Sequence, residues 1–254
     1  MNSFSVSAFK REARAKIRGA SKAALLTSVI WFAISALVNL FQTWVSGQQA
    51  FMDEFQTAFT NVGTAGYDPN LITELVQNNI SPLGTLLSFL LGLCMTVAAT
   101  GFAWYCLRTA RGETLRFTAM FRGFERFSRV IWLSIVMNVF IFLWSLLLVV
   151  PGIIASYRYS QAFLVMYDHP EFGALECLRE SKELMRDNKL NFFILQLSFI
   201  GWTLLGFVIA MYTTIAILNI WIALYTAVTC GVFYNALVGF KPERPEELDA
   251  MPPL

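Results

Sequence analysis

Apolar residues concentrate in long uninterrupted runs, and short polar segments separate these runs along the whole chain. A helix needs about 20 apolar residues to cross a bilayer, and most of the runs have that length. The sequence therefore predicts an all-α fold, a polytopic transmembrane helical bundle with six spans. The predicted spans cover about 23–45, 83–107, 130–150, 153–167, 190–210 and 215–237.

The fourth run is the exception in length, since 153–167 is nearer 15 residues than 20. It follows Pro151-Gly152, which we interpret as a turn that folds the chain directly back. Asp168-His169-Pro170 ends it, because the residue before a proline avoids helical geometry. All six runs belong to a single predicted domain over 1–240. The tail 241–254 is polar and rich in proline, and we expect it to be disordered on the cytoplasmic side.

Several polar segments also have helical periodicity, with apolar residues on one side. This pattern is typical of amphipathic helices that lie at the membrane interface. A further short helix is expected over 71–76. The amphipathic segments are the basic N-terminus 1–22, a phenylalanine-rich segment at 51–62, an arginine- and phenylalanine-rich segment at 108–129, and a segment of alternating charge at 171–189.

The composition agrees with a membrane protein, since 56% of residues are hydrophobic and 14% are charged. Soluble domains have about a quarter charged residues. The cysteines are far apart in sequence and three of them fall in apolar runs, which favours buried thiols over a metal site or disulfides. They are Cys94, Cys106, Cys177 and Cys230.

The distribution of Lys and Arg predicts the orientation. With the N-terminus inside, the inside segments contain six, six, four and two cations, which is eighteen of the nineteen. The predicted outside segment 46–80 contains none. This satisfies the positive-inside rule and places both termini in the cytoplasm. The basic segments also suit RNA, but the adjacent spans favour anionic lipid headgroups at the cytoplasmic face, and we expect no nucleic-acid partner.

The remaining cation, Arg158, lies inside the fourth run. An arginine at the centre of a helix in a bilayer costs about 2.5–3.5 kcal/mol, and no Asp or Glu falls within a predicted span. One interpretation is that the side chain extends to the outer headgroups. The other is an anion or lipid-headgroup site. Its candidate residues are Arg158, Tyr157, Tyr159, Gln161 and Asn138.

No catalytic pattern accompanies these features. The chain has one histidine, His169, so a triad or a histidine metal site within one chain is not expected. Asp168 and His169 are adjacent but would point in different directions at a helix end. There is no phosphate-binding loop or dinucleotide fingerprint. We therefore expect no enzyme activity, catalytic residue, cofactor or metal.

The central region resembles a bacterial membrane family, domain of unknown function 975 (DUF975). Weaker similarities occur at Arg11, Ala13 and Arg14 before Gly19, and at Phe233-Tyr234. The resemblance implies six spans in a bacterial cytoplasmic membrane with no assigned activity, and a distant similarity to membrane domains of glycerophosphodiester phosphodiesterases. The residues that carry it are Pro151 to Ile154, Tyr157 to Ser160, Pro170, Ala174-Leu175, Arg179 to Ser181, Leu184-Met185, Asn188-Lys189 and Gln196 to Trp202.

The sequence thus predicts a non-enzymatic, multi-pass protein of the bacterial cytoplasmic membrane. Its expected partners are anionic membrane lipids, with an accessory role to another membrane protein as a related possibility. The alternatives are a small transporter or flippase that moves an amphipathic anionic substrate past Arg158, and a bacteriocin-immunity or envelope-stress factor. The sequence does not predict an oligomeric state.

Overall fold

The computed structural model describes residues 5–46, 48–65, 81–213 and 217–240, and every regular element in these ranges is helical. The all-α prediction is therefore confirmed. The predicted short helix at 71–76 and the tail 241–254 lie outside the described residues. The elements are α1 (Val6–Gly19), α2 (Ser21–Ser46), α3 (Gln48–Ala65), α4 (Pro82–Arg111), a 3₁₀ helix (Phe117–Arg126), α5 (Phe127–Leu147), α6 (Val149–Tyr159), α7 (Ala162–Asp168), α8 (Ala174–Leu184), α9 (Lys189–Thr213) and α10 (Ile217–Leu237).

Five stretches in the described ranges are long and apolar enough to cross a membrane, by length and composition. They coincide with five of the six predicted spans, so the membrane character of the chain is supported. The count of six stays a prediction. The stretches are Lys22–Ser46, Pro82–Arg111, Phe117–Leu147, Lys189–Val208 and Leu218–Leu237.

The run at 153–167 is not one helix. It is divided between α6, of 11 residues, and α7, of 7 residues, with the break at Ser160 and Gln161. The predicted turn at Pro151-Gly152 is also displaced, because the chain reverses at Leu148, whose backbone is extended (φ −164°, ψ 151°). Pro151 lies in the first turn of α6, where a missing N–H costs no helical hydrogen bond. A Cβ at Gly152 would overlap Ser145, so α5 and α6 form a tight hairpin.

The helices group into two compact units. The first unit contains the described residues of 5–29 and 97–240, and the second contains those of 30–96. In the second unit, α2 and α4 approach closely at the small residues of α4. Gln42 donates a hydrogen bond to the Ser88 carbonyl (2.9 Å), and a Cβ at Gly84 would overlap the Val45 carbonyl. Small residues allow membrane helices to pack at such short range.

The core of the first unit lies where α4, α5, α7 and α8 meet. Trp104 of α4 donates its indole N–H to the Phe163 carbonyl (2.7 Å), which fixes α7 against α4. The segment of alternating charge forms a shorter helix than predicted, Ala174–Leu184 instead of 171–189, and its apolar side completes this core. The buried core includes Val97, Leu107, Val130, Leu133, Ala162, Val165, Cys177, Leu178 and Tyr234.

The basic N-terminal segment forms the predicted amphipathic helix, α1, but its apolar side packs on protein. Ala13 and Ile17 are buried, and the Phe9 ring lies 6.0 Å from the Phe233 ring of α10. Lys10 donates a hydrogen bond to the Ser198 carbonyl of α9 (2.9 Å), and Arg14 donates to the Tyr225 hydroxyl of α10 (3.2 Å). α1 is therefore joined to both C-terminal helices.

Candidate anion-binding site

The site is built on the break between α6 and α7. A helix end leaves carbonyl and N–H groups without partners, and the completely buried Ser181 of α8 satisfies one of each. Its hydroxyl donates to the Arg158 carbonyl at the end of α6 (2.9 Å) and accepts from the Gln161 N–H before α7 (3.2 Å). One side chain of α8 thus holds the break and positions Arg158.

The Arg158 guanidinium is incompletely satisfied. Its Nε atom is buried and has no hydrogen-bond partner, and no ion pair involves Arg158 among the residues that the structure describes. The ring centre of Trp144 of α5 lies 6.0 Å from the guanidinium carbon. A buried charged donor without a partner is costly, so the position favours an added anion.

Arg158 contributes to a basic cavity of about 310 Å³ with three further cations, Lys182, Arg186 and Lys189. The cavity also contains one carboxylate, Glu183, which lies 3.7 Å from Arg186. Both members of that pair are more than half exposed, so their attraction is weak. Four cations against one carboxylate give the cavity a net positive charge.

A second cavity, of about 200 Å³, is also lined by Arg158. Its walls are apolar and come from the α5–α6 hairpin: Trp144, Pro151, Ile154 and Ala155 together with Arg158. Arg158 therefore lines both a basic cavity and an apolar one. This arrangement suits a ligand with an anionic group and a hydrocarbon chain.

The other predicted site residues lie elsewhere. The Tyr157 ring packs against Phe192 and Phe193 of α9, at 6.0 and 5.9 Å. Tyr159 is buried next to Phe140 of α5.

The two predicted amide residues are also directed away from the guanidinium of Arg158. Gln161 is buried; its Nε2 atom donates to the Ser160 hydroxyl (3.0 Å), and its Oε1 atom has no hydrogen-bond partner in the described structure. The Asn138 amide donates to the Ser134 carbonyl within α5 (2.8 Å). The basic and apolar cavities contain neither residue.

Sequence reasoning missed Lys182, Arg186 and Lys189 as companions of Arg158. Their spacing of four and then three residues is that of one helical face, and this was the available signal. The signal shows which residues share a face, but not which part of the chain that face contacts. The contact with Arg158 depends on the hydrogen bonds of Ser181 with the helix break.

A different pattern occurs at a third cavity, of about 230 Å³, between α1, α9 and α10. Its two cations, Lys10 and Arg14, already bond to protein oxygens, and the Lys10 ammonium lies 4.2 Å from the Phe199 ring centre. Burial, followed by the charge of Arg14, lowers the pKa of the Lys10 ammonium. Each of these cations thus has a hydrogen-bond partner within the protein, in contrast with the Nε atom of Arg158.

Asp168 and His169 do not form a pair. Asp168 accepts two hydrogen bonds from Arg111 (2.8 and 2.6 Å), whereas His169 stacks on Phe172 at 4.5 Å and lies 3.2 Å from the Glu171 carboxylate. A hydrogen bond from its own backbone N–H, and then His169, lower the pKa of the Glu171 carboxyl. Asp168 thus joins the end of α7 to α4, whereas the contacts of His169 are local.

The described residues contain no group of three or more His, Cys, Asp or Glu side chains that could hold a metal ion. The four cysteines are free thiols. Burial raises the pKa of the Cys177 thiol to about 11, so this side chain is predominantly protonated at neutral pH.

The fold and the five apolar helices define a helical protein of membrane type. Residues 145–241 match the model of the family described as protein of unknown function, DUF975, and this match supports the resemblance predicted from the sequence. The match includes α6, α8, α9 and α10, and with them Arg158 and its neighbouring cations. The weaker similarity around Arg11 to Gly19 lies outside it. No curated protein and no solved structure matches the chain significantly.

Proposed function

We propose that this chain is a non-enzymatic protein of the bacterial cytoplasmic membrane that binds the phosphate group of an anionic lipid in the basic cavity at Arg158. The observation that carries the proposal is the buried Arg158 Nε atom without a partner, in a cavity with Lys182, Arg186 and Lys189. An accessory role to another membrane protein is compatible with this binding.

A bound phosphate would lower the free energy of the basic cavity in two ways, by reducing repulsion among the cations and by pairing a desolvated donor. Four cations around one cavity raise one another's free energy, because like charges repel more strongly where water is partly excluded. A phosphate oxygen would relieve that repulsion and would accept the unused Arg158 N–H. Charge-assisted hydrogen bonds of this kind are about twice as strong as neutral ones.

The apolar cavity favours a lipid over a free anion. It adjoins Arg158 and is formed by Trp144, Pro151 and Ile154, so an acyl chain could continue from a phosphate bound next to Arg158. The charge distribution supports the same orientation, since Arg158 faces cations that the positive-inside rule assigns to the cytoplasmic side. Anionic lipids of that leaflet attract such basic surfaces.

Native mass spectrometry of the purified chain with anionic and zwitterionic phospholipids tests this proposal. We expect stable adducts with the anionic lipid, and an affinity lower by about tenfold to a hundredfold in Arg158→Gln, because a charge-assisted hydrogen bond contributes about 1.5–3 kcal/mol. Arg18→Gln is the matched control, since Arg18 is an exposed cation of α1 and should leave binding unchanged.

Equal binding by Arg158→Gln and the parent chain would contradict the site. Transport, the alternative role, makes a different prediction. It requires flux of an anionic amphiphile in proteoliposomes that Arg158→Ala abolishes and Arg158→Lys partly retains.

A further inference from the structure

The far half of the α5–α6 hairpin is almost entirely apolar, and its one polar side chain before the turn, Ser145, donates its hydroxyl to the Ile141 carbonyl (2.9 Å). No charged residue occurs from 130 to 157. The turn itself contains the most exposed apolar residues of the hairpin, with Leu146 at 75%, Leu147 at 72% and Val149 at 72% exposure. A turn in water would have polar side chains, so the composition of this turn indicates hydrocarbon surroundings.

The other end of α6 lies beside the polar end of α9. Arg158 and Lys189, the first residue of α9, line the same basic cavity. Tyr157 also contacts Phe192 in the first turn of α9. The end of α6 therefore lies at the level where α9 begins, and that level is marked by cations.

The length of α6 limits how far the turn extends from these cations. Ten residues separate Arg158 from Leu148, which is about 15 Å at 1.5 Å per residue, whatever the tilt of the helix. The apolar stretch of α9, Lys189–Val208, has 20 residues and a length of about 30 Å, which is that of the hydrocarbon core. Measured from Arg158, the turn at Leu148 thus extends about half as far as α9. The longer α5, of 21 residues, reaches the level of Arg158 near Phe140, whose ring packs on Tyr159.

The termini of the first unit give an independent constraint. Phe9 near the start of the chain contacts Phe233 near the end of α10, so the two ends lie at the same end of this unit. The number of crossings is then even. α2, α4, α9 and α10 contribute four, and the α5–α6 hairpin with α7 contributes either two or none.

We infer that the α5–α6 hairpin is re-entrant. It enters the bilayer from the side of the Arg158 cations, turns at Leu148 among the acyl chains and returns to the same side. The backbone of the turn residue itself is satisfied, as a nonaqueous site favours, because the Leu148 N–H donates to the Trp144 carbonyl (3.4 Å) and its carbonyl accepts from the Gly152 N–H (3.3 Å). Pro151 has no N–H to satisfy.

This arrangement replaces the predicted crossings at 130–150 and 153–167 and leaves the side of every charged segment unchanged. It also accounts for the position of Arg158, which lies at the headgroup level and not within the hydrocarbon. The inference depends on the geometry of α6 and α9, and it holds whether or not a lipid phosphate occupies the basic cavity.

The test uses the full chain with one added cysteine, Leu148→Cys, in a Cys94→Ala background that removes the exposed native thiol. An impermeant maleimide is applied to intact cells and to inverted vesicles. A fluorophore on the same cysteine is then measured in bilayers whose lipids carry bromine at shallow or deep positions of the acyl chain. Gln56→Cys and Asp187→Cys report the two aqueous sides, and Leu146→Cys and Val150→Cys serve if Leu148→Cys is poorly produced.

We expect labelling of Leu148→Cys at the background level from both sides, with the strongest quenching by bromine deep in the acyl chain. Labelling from the side of Gln56→Cys would overturn the inference in favour of two full crossings. Labelling from the side of Asp187→Cys would place the hairpin outside the bilayer and also overturn it. Protection from both maleimide and lipid quencher would show that protein, such as a second copy, covers the hairpin, again against the inference.

Discussion

At the residue scale, two arginines of the first unit, Arg111 and Arg158, differ in how far the protein satisfies their hydrogen-bond donors. Arg111 forms a bidentate ion pair with Asp168, donates its Nε–H to Asn235 (3.1 Å) and lies 4.6 Å from the Phe240 ring centre. Its donors are used within the protein. Arg158 has an unused buried donor and cationic neighbours, and this contrast is the basis for assigning an exogenous anion to Arg158.

The Arg111–Asp168 pair should contribute to stability. Its side chains are 13% and 19% exposed, and it joins the ends of α4, α7 and α10. Removing one partner leaves a partly buried charge, so we expect Arg111→Ala to lower the free energy of unfolding by about 3 kcal/mol. SDS or thermal unfolding of the detergent-solubilised protein measures this.

The matched variants are Asp168→Asn and the double variant. If the pair acts as a unit, the loss in the double variant is smaller than the sum of the two single losses. The exposed pair of Arg122 and Glu125, at 3.9 Å, is the control, and its removal should cost less than about 1 kcal/mol. Additive losses at Arg111 and Asp168 would contradict a coupled pair.

At the element scale, the arginine- and phenylalanine-rich segment shows how a surface helix is attached without a large buried face. The 3₁₀ helix places Met120 and Gly123 against α4, and Phe117, Phe121 and Phe124 stay about 41–42% exposed. Cβ atoms at Gly101 or Gly123 would overlap backbone carbonyls of the opposite element. The two glycines therefore allow backbone contact, while the exposed aromatics are free to enter a lipid interface.

Gly101→Ala should separate these two elements. The new Cβ would collide with the Met120 carbonyl, and forced repacking of this type costs about 1–3 kcal/mol in the free energy of unfolding. Gly92→Ala in the same helix is the matched control, because a Cβ there meets nothing within 4 Å in the described part of the chain. That change should be neutral or stabilising by up to about 1 kcal/mol. Equal effects of both substitutions would show that close approach at Gly101 is unimportant.

The elements differ in how well the sequence predicts them. The apolar runs at 23–45 and 190–210 correspond to α2 and α9 within a few residues, because hydrophobic length is a local property of the chain. The break at Ser160 and Gln161 could not be predicted in this way. It depends on Ser181, twenty residues after Gln161, whose hydroxyl replaces the lost helical hydrogen bonds.

The candidate site shows the same difference between local features, which the sequence predicts, and contacts between distant residues, which it does not. Arg158 was recognisable as an unusual charge in an apolar run, but its companions were not. In the sequence, the pattern of Lys182, Arg186 and Lys189 is typical of a solvated helix face. These residues line a cavity with Arg158 because α8 packs on the helix break. Asn138, by contrast, satisfies its amide within α5, where a Ser four residues earlier was the local signal.

At the scale of the whole molecule, the charge distribution and a packing contact each place the two ends of the chain on the same side of the membrane. The Lys and Arg residues assigned to one side reflect the cost of moving cations across the membrane. The contact of Phe9 with Phe233 is a packing observation and contains no information about charge. Both require an even number of crossings, so they agree for four crossings with a re-entrant hairpin and for six.

Reporters fused before Met1 and after residue 240 should therefore report the same side of the membrane. A fluorescent protein that matures in the cytoplasm should be active at both positions, and a phosphatase that requires export should be inactive at both. Insertion of the same reporters at 56, in the cation-free segment 46–80, is the control and should give the reverse result. Opposite sides for the two ends would require an odd number of crossings, which is incompatible with the packing of α1 against α10. Agreement between the ends, combined with burial of Leu148 in the acyl chains, would establish four crossings and would place Arg158 with the other cations of the cytoplasmic face.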